Sequence, residues 1–305
     1  MRIPNRPLSP GPVEEFWPAN GQLERIDMEG AVAATNGHSV VVALEGTPSA
    51  DTGLEALAFD LYRRLLRSVE HEGYPNFVRI WNYVPQINEK ASGIDRYMRF
   101  CKGRSEAFSA HYGGEFASHL PAASAVGCPG DALVVHALAS RYPVRYVENP
   151  RQVSAYRYPE KYGPKSPSFA RGTVTLGRMG GAVFVSGTSS IVGHESVFPG
   201  DPLRQTAESM RNIESVLDQA SVPGRGGPLG SRLRSLRVYV RFPEQLPEIR
   251  QALREWTGPD VPTTWLQAEI CREELLVEIE ATARTAQPGG AVDPDLRPTG
   301  LARKD

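Results

Sequence analysis

The chain is expected to fold as two tandem α+β units, each a mixed β-sheet with helices packed on one face. Three observations predict this. One order of elements (hairpin, helix, strand, helix, strand, strand) can be read twice, at about 140 residues per copy. The strand that closes each hairpin ends in a similar turn, Gly46-Thr47-Pro48-Ser49 and Gly187-Thr188-Ser189-Ser190. From that turn to a later cysteine the spacing is nearly constant, 82 positions from Gly46 to Cys128 and 84 from Gly187 to Cys271.

In the first copy, residues 1–20 are rich in proline and read as irregular. Ala31–Ala34 and Ser39–Leu44 flank Asn36-Gly37, whose positions tolerate φ > 0, so a hairpin is predicted. Leu54, Leu57, Leu61 and Leu65 recur at helical spacing. Phe77–Val84 is β-branched and aromatic and stops at Pro85, which predicts a strand. Ile94 to Phe108 reads as a second helix. A strand follows Pro121, and the apolar Ala132–Ala139 completes the copy.

In the second copy, Thr173–Leu176 and Ala182–Ser186 flank Met179-Gly180-Gly181, again a hairpin signal. Leu203, Met210, Ile213 and Leu217 form one helical stripe. Leu236–Phe242 is a strand closed by Pro243, as Pro85 closes its counterpart. Leu246, Ile249 and Leu253 mark a short helix. Pro262 leads into Trp265–Ile270, then Cys271 and the strand Leu275–Ala281. This divides the chain into a first half, residues 1–150, and a second half, residues 151–285, that opens with a loop over 151–171. Residues 286–305 carry proline, glycine and charge without periodicity and read as a disordered tail.

The totals exclude several functions. A net charge of −1 over 305 residues argues against a general nucleic-acid binder. No apolar run approaches the roughly 20 residues that span a bilayer, and Met1–Pro7 lack the apolar core of a secretory signal. Cys101, Cys128 and Cys271, without CxxC spacing, point to a reducing cytoplasm with neither disulfide nor zinc. The histidines show no HExxH-like spacing, so no metal is expected. Gly224–Gly230 lacks the Lys-Ser/Thr ending of a phosphate loop and reads as a surface loop. His194, beside a turn, reads as a structural hydrogen-bonder.

Chemistry concentrates in two places. On the last strand, Leu276, Glu278 and Glu280 share one face, and Val277, Ile279 and Ala281 the other. Two carboxylates on an apolar strand are costly unless they meet water, a partner or a substrate. Counting from each cysteine, Val135 takes the place of Glu278 and Ala137 that of Glu280. The first copy is apolar there, so the carboxylates read as a specialisation of the second copy. The other place is Arg151–Arg171, where three tyrosines, one phenylalanine and five basic residues interleave with three prolines. Prolines lower the ordering cost of a loop. Arginines can hold a carboxylate at two points, and tyrosines can close over an unsaturated ring. A solvated outer face and a linker with solvated charges are the plainer readings of the two stretches.

The run Leu276–Ala281 resembles the closing strand of the Rid (YjgF) family. Two further runs, Gly187–Ser196 and Tyr158–Arg171, resemble the chorismatases. These are built on Rid-like folds and cleave chorismate to pyruvate and a ring product. The resemblance spans roughly Ala155 to Ala283 and reaches the first half only through the repeat. It implies a small-molecule substrate, no metal or organic cofactor, and a monomer or a Rid-like trimer. The small Rid enzymes carry a carboxylate-binding arginine entering the last strand pair. Thr263-Thr264-Trp265 stands here instead, so their imine-hydrolysing activity is not expected.

The implied roles suit the residues. Chorismate is a dicarboxylate with a cyclohexadiene ring and an enolpyruvyl ether. Arg157 and Arg171, then Arg241, are the implied carboxylate clamps. Glu278, shielded and with a raised pKa, is the implied general acid that protonates the terminal carbon of the ether. Tyr158 and Tyr162 would close over the ring, with Ser189 on the turn beside it. Chorismatases that aromatise the ring to 3-hydroxybenzoate carry a cysteine seven positions before the catalytic glutamate, as Cys271 precedes Glu278. They tend to carry glycine where this chain has Ser189, and the hydrolysing type carries alanine; serine matches neither. Cys271 is thereby the second implied catalytic residue, and it also reads as a buried small hydrophobe. The leading expectation is 3-hydroxybenzoate plus pyruvate. The runner-up is hydrolysis to a dihydroxycyclohexadiene carboxylate, or 4-hydroxybenzoate, and the rival of another class is a non-catalytic small-acid binder.

Overall fold

The computed structural model describes residues 2–9, 22–49, 53–176 and 180–285. Met179 of the second hairpin and the tail from 286 lie outside the described residues. In chain order the first half contributes β1 (Glu24–Met28), β2 (Ala31–Thr35), β3 (Ser39–Gly46), α1 (Gly53–His71) and β4 (Asn76–Pro85). A short pair β5 (Lys90–Ala91) and β6 (Ile94–Asp95) precedes α2 (Arg96–Tyr112), β7 (Ala122–Cys128) and β8 (Leu133–Ser140). The second half contributes β9 (Val144–Val147), β10 (Gly172–Thr175), β11 (Ala182–Thr188) and the pair β12 (Ile191–Val192) and β13 (Glu195–Ser196). Then come α3 (Pro202–Gln219), β14 (Leu233–Val240), α4 (Leu246–Thr257), β15 (Thr263–Gln267) and β16 (Val277–Arg284).

The repeat read from the sequence is present as topology. The two six-stranded sheets run β1-β2-β3-β8-β4-β7 and β9-β10-β11-β16-β14-β15. In both, the last pair of the order is parallel, β4 with β7 and β14 with β15. Every other neighbouring pair is antiparallel. Periodicity missed β1 and β9, short edge strands whose charged residues mask the alternation. Because β9 starts at Val144, the chain enters the second sheet ahead of residue 150.

Local chemistry sets the elements. Asn36 Oδ1 accepts the N–H groups of His38 and Ser39 at 3.0 and 2.9 Å, and Gly37 takes φ 81°, which closes the β2–β3 hairpin. Asp95 caps α2 by accepting the N–H of Met98 at 2.7 Å. Asp201 caps α3 in the same way through Arg204, and Pro202 opens the helix. Met210, Ile213 and Leu217 of the expected α3 stripe are buried, whereas Leu203, in the first turn, stays 45 % exposed.

Helices α1 and α2 cover the outer face of the first sheet, and α3 and α4 that of the second. The inner faces pack on each other through Val78, Trp81, Leu138, Phe184, Tyr239 and Leu266. The edge strand β7 is tied to the second half. Ala122 N–H donates to Thr173 Oγ1 (2.8 Å), Ala123 N–H to Ser186 Oγ (2.9 Å) and Gly127 N–H to the Glu269 carbonyl (2.8 Å). Part of the proline-rich start, expected to be irregular, lies along β15. Gln267 N–H donates to the Arg6 carbonyl and Leu8 N–H to the Trp265 carbonyl, which occupies an otherwise open edge.

The register corrects one equivalence. Arg79 pairs with Leu138 across β4–β8, and Arg237 pairs with Glu280 across β14–β16. Each arginine stands six residues before the matching proline, Pro85 or Pro243. Leu138 is therefore the counterpart of Glu280, and His136 that of Glu278. Val135 and Ala137 lie on the opposite face, in the helix-side core. Counting from the cysteines slips by one residue, and a one-residue slip exchanges the two faces of a strand.

Candidate active site

Glu278 and Glu280 project from β16 into the space between the sheets, not into solvent; they are 4 % and 7 % exposed. Their neighbours on the strand, Val277 and Ile279, face the helix-side core. Two residues apart on one face, the carboxylates have opposite surroundings. Glu280 is saturated. It accepts hydrogen bonds from Trp81 Nε1 (2.9 Å), Ser124 Oγ (2.6 Å) and Tyr239 Oη (2.9 Å), and pairs with Arg79 at 3.0 Å and Arg237 at 3.5 Å. Burial works to raise its carboxyl, but the two guanidinium groups and the Ser124 and Trp81 donors outweigh it and hold it below the usual carboxylate range.

Glu278 has one weak partner. Ser189 Oγ reaches Oε2 at 3.4 Å while donating to the Val277 carbonyl at 3.0 Å, and buried Oε1 has no partner. Burial pushes this carboxyl up to about 8. The anion on Glu280 adds to the rise, and Arg79 and the Ser189 hydroxyl oppose it. A group so placed is protonated at neutral pH and has a free O–H to give.

The acid opens onto a cavity of about 270 Å³ between the halves. Three arginines line it. Arg171, 4 % exposed, donates to the Tyr158 hydroxyl (2.8 Å) and the Val153 carbonyl (3.0 Å), with Nε unpartnered. Arg104, from α2, is 2 % exposed, with Nε and Nη2 unpartnered. Arg272 donates to the His194 carbonyl and Ser196 Oγ, both at 3.0 Å, and lies over the Tyr162 ring at 4.0 Å. Tyr158 and Tyr162 form an aromatic wall with rings 5.5 Å apart, and Tyr162 Oη and His194 Nδ1 are 3.2 Å apart. Asp95, Glu273 and Glu274 also line the cavity, with Lys90 paired to Glu273 at 2.9 Å.

Of the residues singled out from the sequence, the cavity brings together Glu278, Cys271, Arg171, Tyr158, Tyr162 and Ser189. It does not include Arg157, which is exposed and stacks over Tyr156 at 5.6 Å. Arg241 is also outside the lining. It donates to the carbonyls of Leu275, Ile270 and Arg272 and to Asn88 Oδ1, at 2.7–3.0 Å. It therefore holds the loop that carries Cys271. Burial, with Glu278 nearby, pushes the Cys271 thiol up to about 12, so it is neutral. Arg104 and Arg272 escaped sequence reasoning. A signal for Arg104 exists, since it sits four residues from both Phe100 and Phe108 on the buried stripe of α2. Among the described residues no cluster of His, Cys, Asp or Glu is arranged to hold a metal ion. None of the described helices is long and apolar enough to cross a membrane.

The chain is similar to known proteins along most of its length. The model for the chorismatase FkbO/Hyg5-like N-terminal family matches residues 15–139. A 3-hydroxybenzoate synthase of Streptomyces hygroscopicus is 36 % identical over 278 residues, 88 % of this chain and 81 % of the relative. A chorismatase of Streptomyces rapamycinicus is 36 % identical over 282 residues, 87 % of this chain and 80 % of the relative. A chorismatase crystal structure superposes with a TM-score of 0.77 at 31 % identity, covering 85 % of this chain and 79 % of that one. With both halves, the cavity and the buried acid in place, this chain belongs to the chorismatase family.

Proposed function

We propose that the protein cleaves chorismate to pyruvate and 3-hydroxybenzoate, with Glu278 as the general acid. The observation that carries this reading is the unpartnered, buried Oε1 of Glu278, protonated at neutral pH and facing a cavity walled by arginines. The Glu278 O–H gives its proton to the methylene carbon of the enolpyruvyl ether. The ether carbon becomes an oxocarbenium-like centre, and the C–O bond to the ring breaks with its electron pair going to the pyruvate oxygen. The neighbouring ring hydroxyl oxygen shifts to the vacated carbon, its bond to its original carbon breaks, and loss of a ring proton aromatises the ring to 3-hydroxybenzoate and returns one proton to the Glu278 carboxylate. Pyruvate and hydroxybenzoate together contain the atoms of chorismate, so this outcome consumes no water overall. Arg104, Arg171 and Arg272 offer cationic partners for two carboxylates. Tyr158 and Tyr162 supply a flat wall for the ring.

The acid gains from its setting. A proton donor works best with a pKa near the working pH, and burial raises a carboxyl into that range. Cys271, neutral and beside the acid, shapes the cavity and is not a nucleophile. Walls from both halves of one chain give a monomer a complete cavity. The cysteines, all free, suit a reducing cytoplasm. The test is incubation of purified protein with chorismate, following pyruvate and separating ring products by chromatography. Pyruvate with 3-hydroxybenzoate is expected, and Glu278→Gln should release neither. A dienediol carboxylate in place of 3-hydroxybenzoate would establish the hydrolytic outcome. Binding of chorismate without pyruvate would overturn the enzymatic reading.

A further inference from the structure

We propose that Glu280 is a positioning residue, a permanent buried anion clamped by one arginine from each half, whose charge acts with burial to keep Glu278 protonated. The inference rests on Glu278 acting as an acid.

The fold does not require a carboxylate at this place. The first sheet has the same strand order, and at the matching register position, opposite Arg79, it carries Leu138, 5 % exposed. A buried ion network is commonly no more stable than apolar packing of the same volume. Yet Glu280 draws donors from both halves: Arg79 and Trp81 on β4, Ser124 on β7, and Arg237 and Tyr239 on β14. These groups fix its ionised form and its position. Glu278 lies two residues away on the same face, about 7 Å along the strand, and both are buried. A second negative charge there is disfavoured by the first. The charged and titratable groups facing Glu278 or its cavity are Arg79 from β4, Lys90 and Asp95 from the β5–β6 pair, Tyr97 and Arg104 from α2, Tyr158, Tyr162 and Arg171 from the loop before β10, and Cys271, Arg272, Glu273 and Glu274 from the loop before β16. Of these, the cations favour loss of the proton. Among the anions Asp95 is half-buried and Glu273 and Glu274 are exposed, whereas Glu280 is buried on the same strand face as Glu278 and opposes the cations there.

The experiment is a pH titration of the Glu278 carboxyl by ¹³C NMR on glutamate-labelled protein, with the signal assigned through Glu278→Gln. The pH profile of kcat/KM for pyruvate release is measured in parallel. Glu280→Gln leaves Arg79 uncompensated, so the Glu278 midpoint and the alkaline limb should both move to lower pH, by about one unit or more. Glu280→Asp keeps the charge and should return the midpoint toward that of the unsubstituted protein. Arg79→Gln removes an opposing cation and should move it upward. Should Glu280→Gln fail to fold, Glu280→Leu, which copies the first half, carries the same prediction. An unchanged midpoint in the folded variants, whatever their turnover, would leave Glu280 merely structural and overturn the proposal. The carboxyl titration does not depend on turnover. Absence of pyruvate from the unsubstituted protein would therefore defeat the assigned reaction while leaving this test intact.

Discussion

Gly187 lies against Glu278 so closely that a Cβ at position 187 would collide with Glu278 Oε1. The contact is made where the β11–β16 pairing shifts register, between Val185 and Thr188. The bulge brings the β11 backbone over the acid, and the missing side chain leaves room for the oxygen that gives the proton. Gly187→Ala should therefore move Glu278 while sparing the arginines. The expected result is a fall in kcat of about 100-fold, the scale of a misplacement near 1 Å, with a smaller change in KM. Overpacking should lower stability by about 1–3 kcal/mol. Steady-state kinetics and thermal denaturation of the purified variant check both.

The raised pKa of Glu278 makes two linked predictions about pH. Activity requires the protonated acid, so kcat/KM should be lost as pH rises through about 8. Stability moves in the same direction. Between the unfolded value near 4.3 and the folded value, the folded state holds a proton that the unfolded chain has released. Its contribution is whole below the unfolded pKa and disappears as pH climbs through the folded one, at about 1.4 kcal/mol per unit. Glu278→Gln removes the titration and should weaken this decline, so the variant gains on the original between pH 5 and pH 9. Chemical denaturation at those two pH values measures the difference.

Sequence pattern made the repeat, most strands and the four α-helices among the described residues readable, because burial on one face imposes periods of 2 and 3.6. The inner faces of the sheets were harder. β4 is buried on both sides, so its sequence does not say which residues meet the other sheet. Loop geometry was harder still. Spacing from Cys271 reached Glu278 but matched it to Val135, since loop length and face parity cannot be separated without the register. Arg157 and Arg171 have the same chemistry in the same loop, and folding alone separates an exposed side chain from a buried one. Arg272 stands in the charged run Arg272-Glu273-Glu274 just before the closing strand, yet its guanidinium is turned onto the Tyr162 ring.

The arginines should separate cleanly by substitution. Arg104 is buried without an ion-pair partner, so Arg104→Met removes a cation from the cavity and leaves no buried carboxylate unpaired. The expected outcome is a 10- to 100-fold rise in KM, about 1.4–2.8 kcal/mol of binding, with stability unchanged or improved. Arg157→Ala, at an exposed site, should change neither KM nor kcat by more than about twofold. Arg241→Ala frees the carbonyls of Ile270 and Leu275, both buried, and that of half-buried Arg272, and should lower stability by several kcal/mol and kcat with it. Kinetics paired with thermal denaturation of the three variants distinguishes a ligand contact from a scaffold contact.

Cys271 should behave as a shape-giving neutral thiol. Half-buried at the cavity wall, it is pushed up to about 12 by desolvation and by the Glu278 carboxyl, whereas reactive cysteines have depressed values. Iodoacetamide should therefore label it far more slowly than a free cysteine, and chorismate in the cavity should slow it further. Cys271→Ala should keep pyruvate release within about tenfold, because the proton comes from Glu278. It enlarges the cavity beside the acid, so its effect should fall on the ratio of ring products, read by chromatography. If pyruvate release were abolished while folding was intact, the sulfur would have a chemical role, and rapid alkylation at neutral pH would show the thiolate that such a role needs.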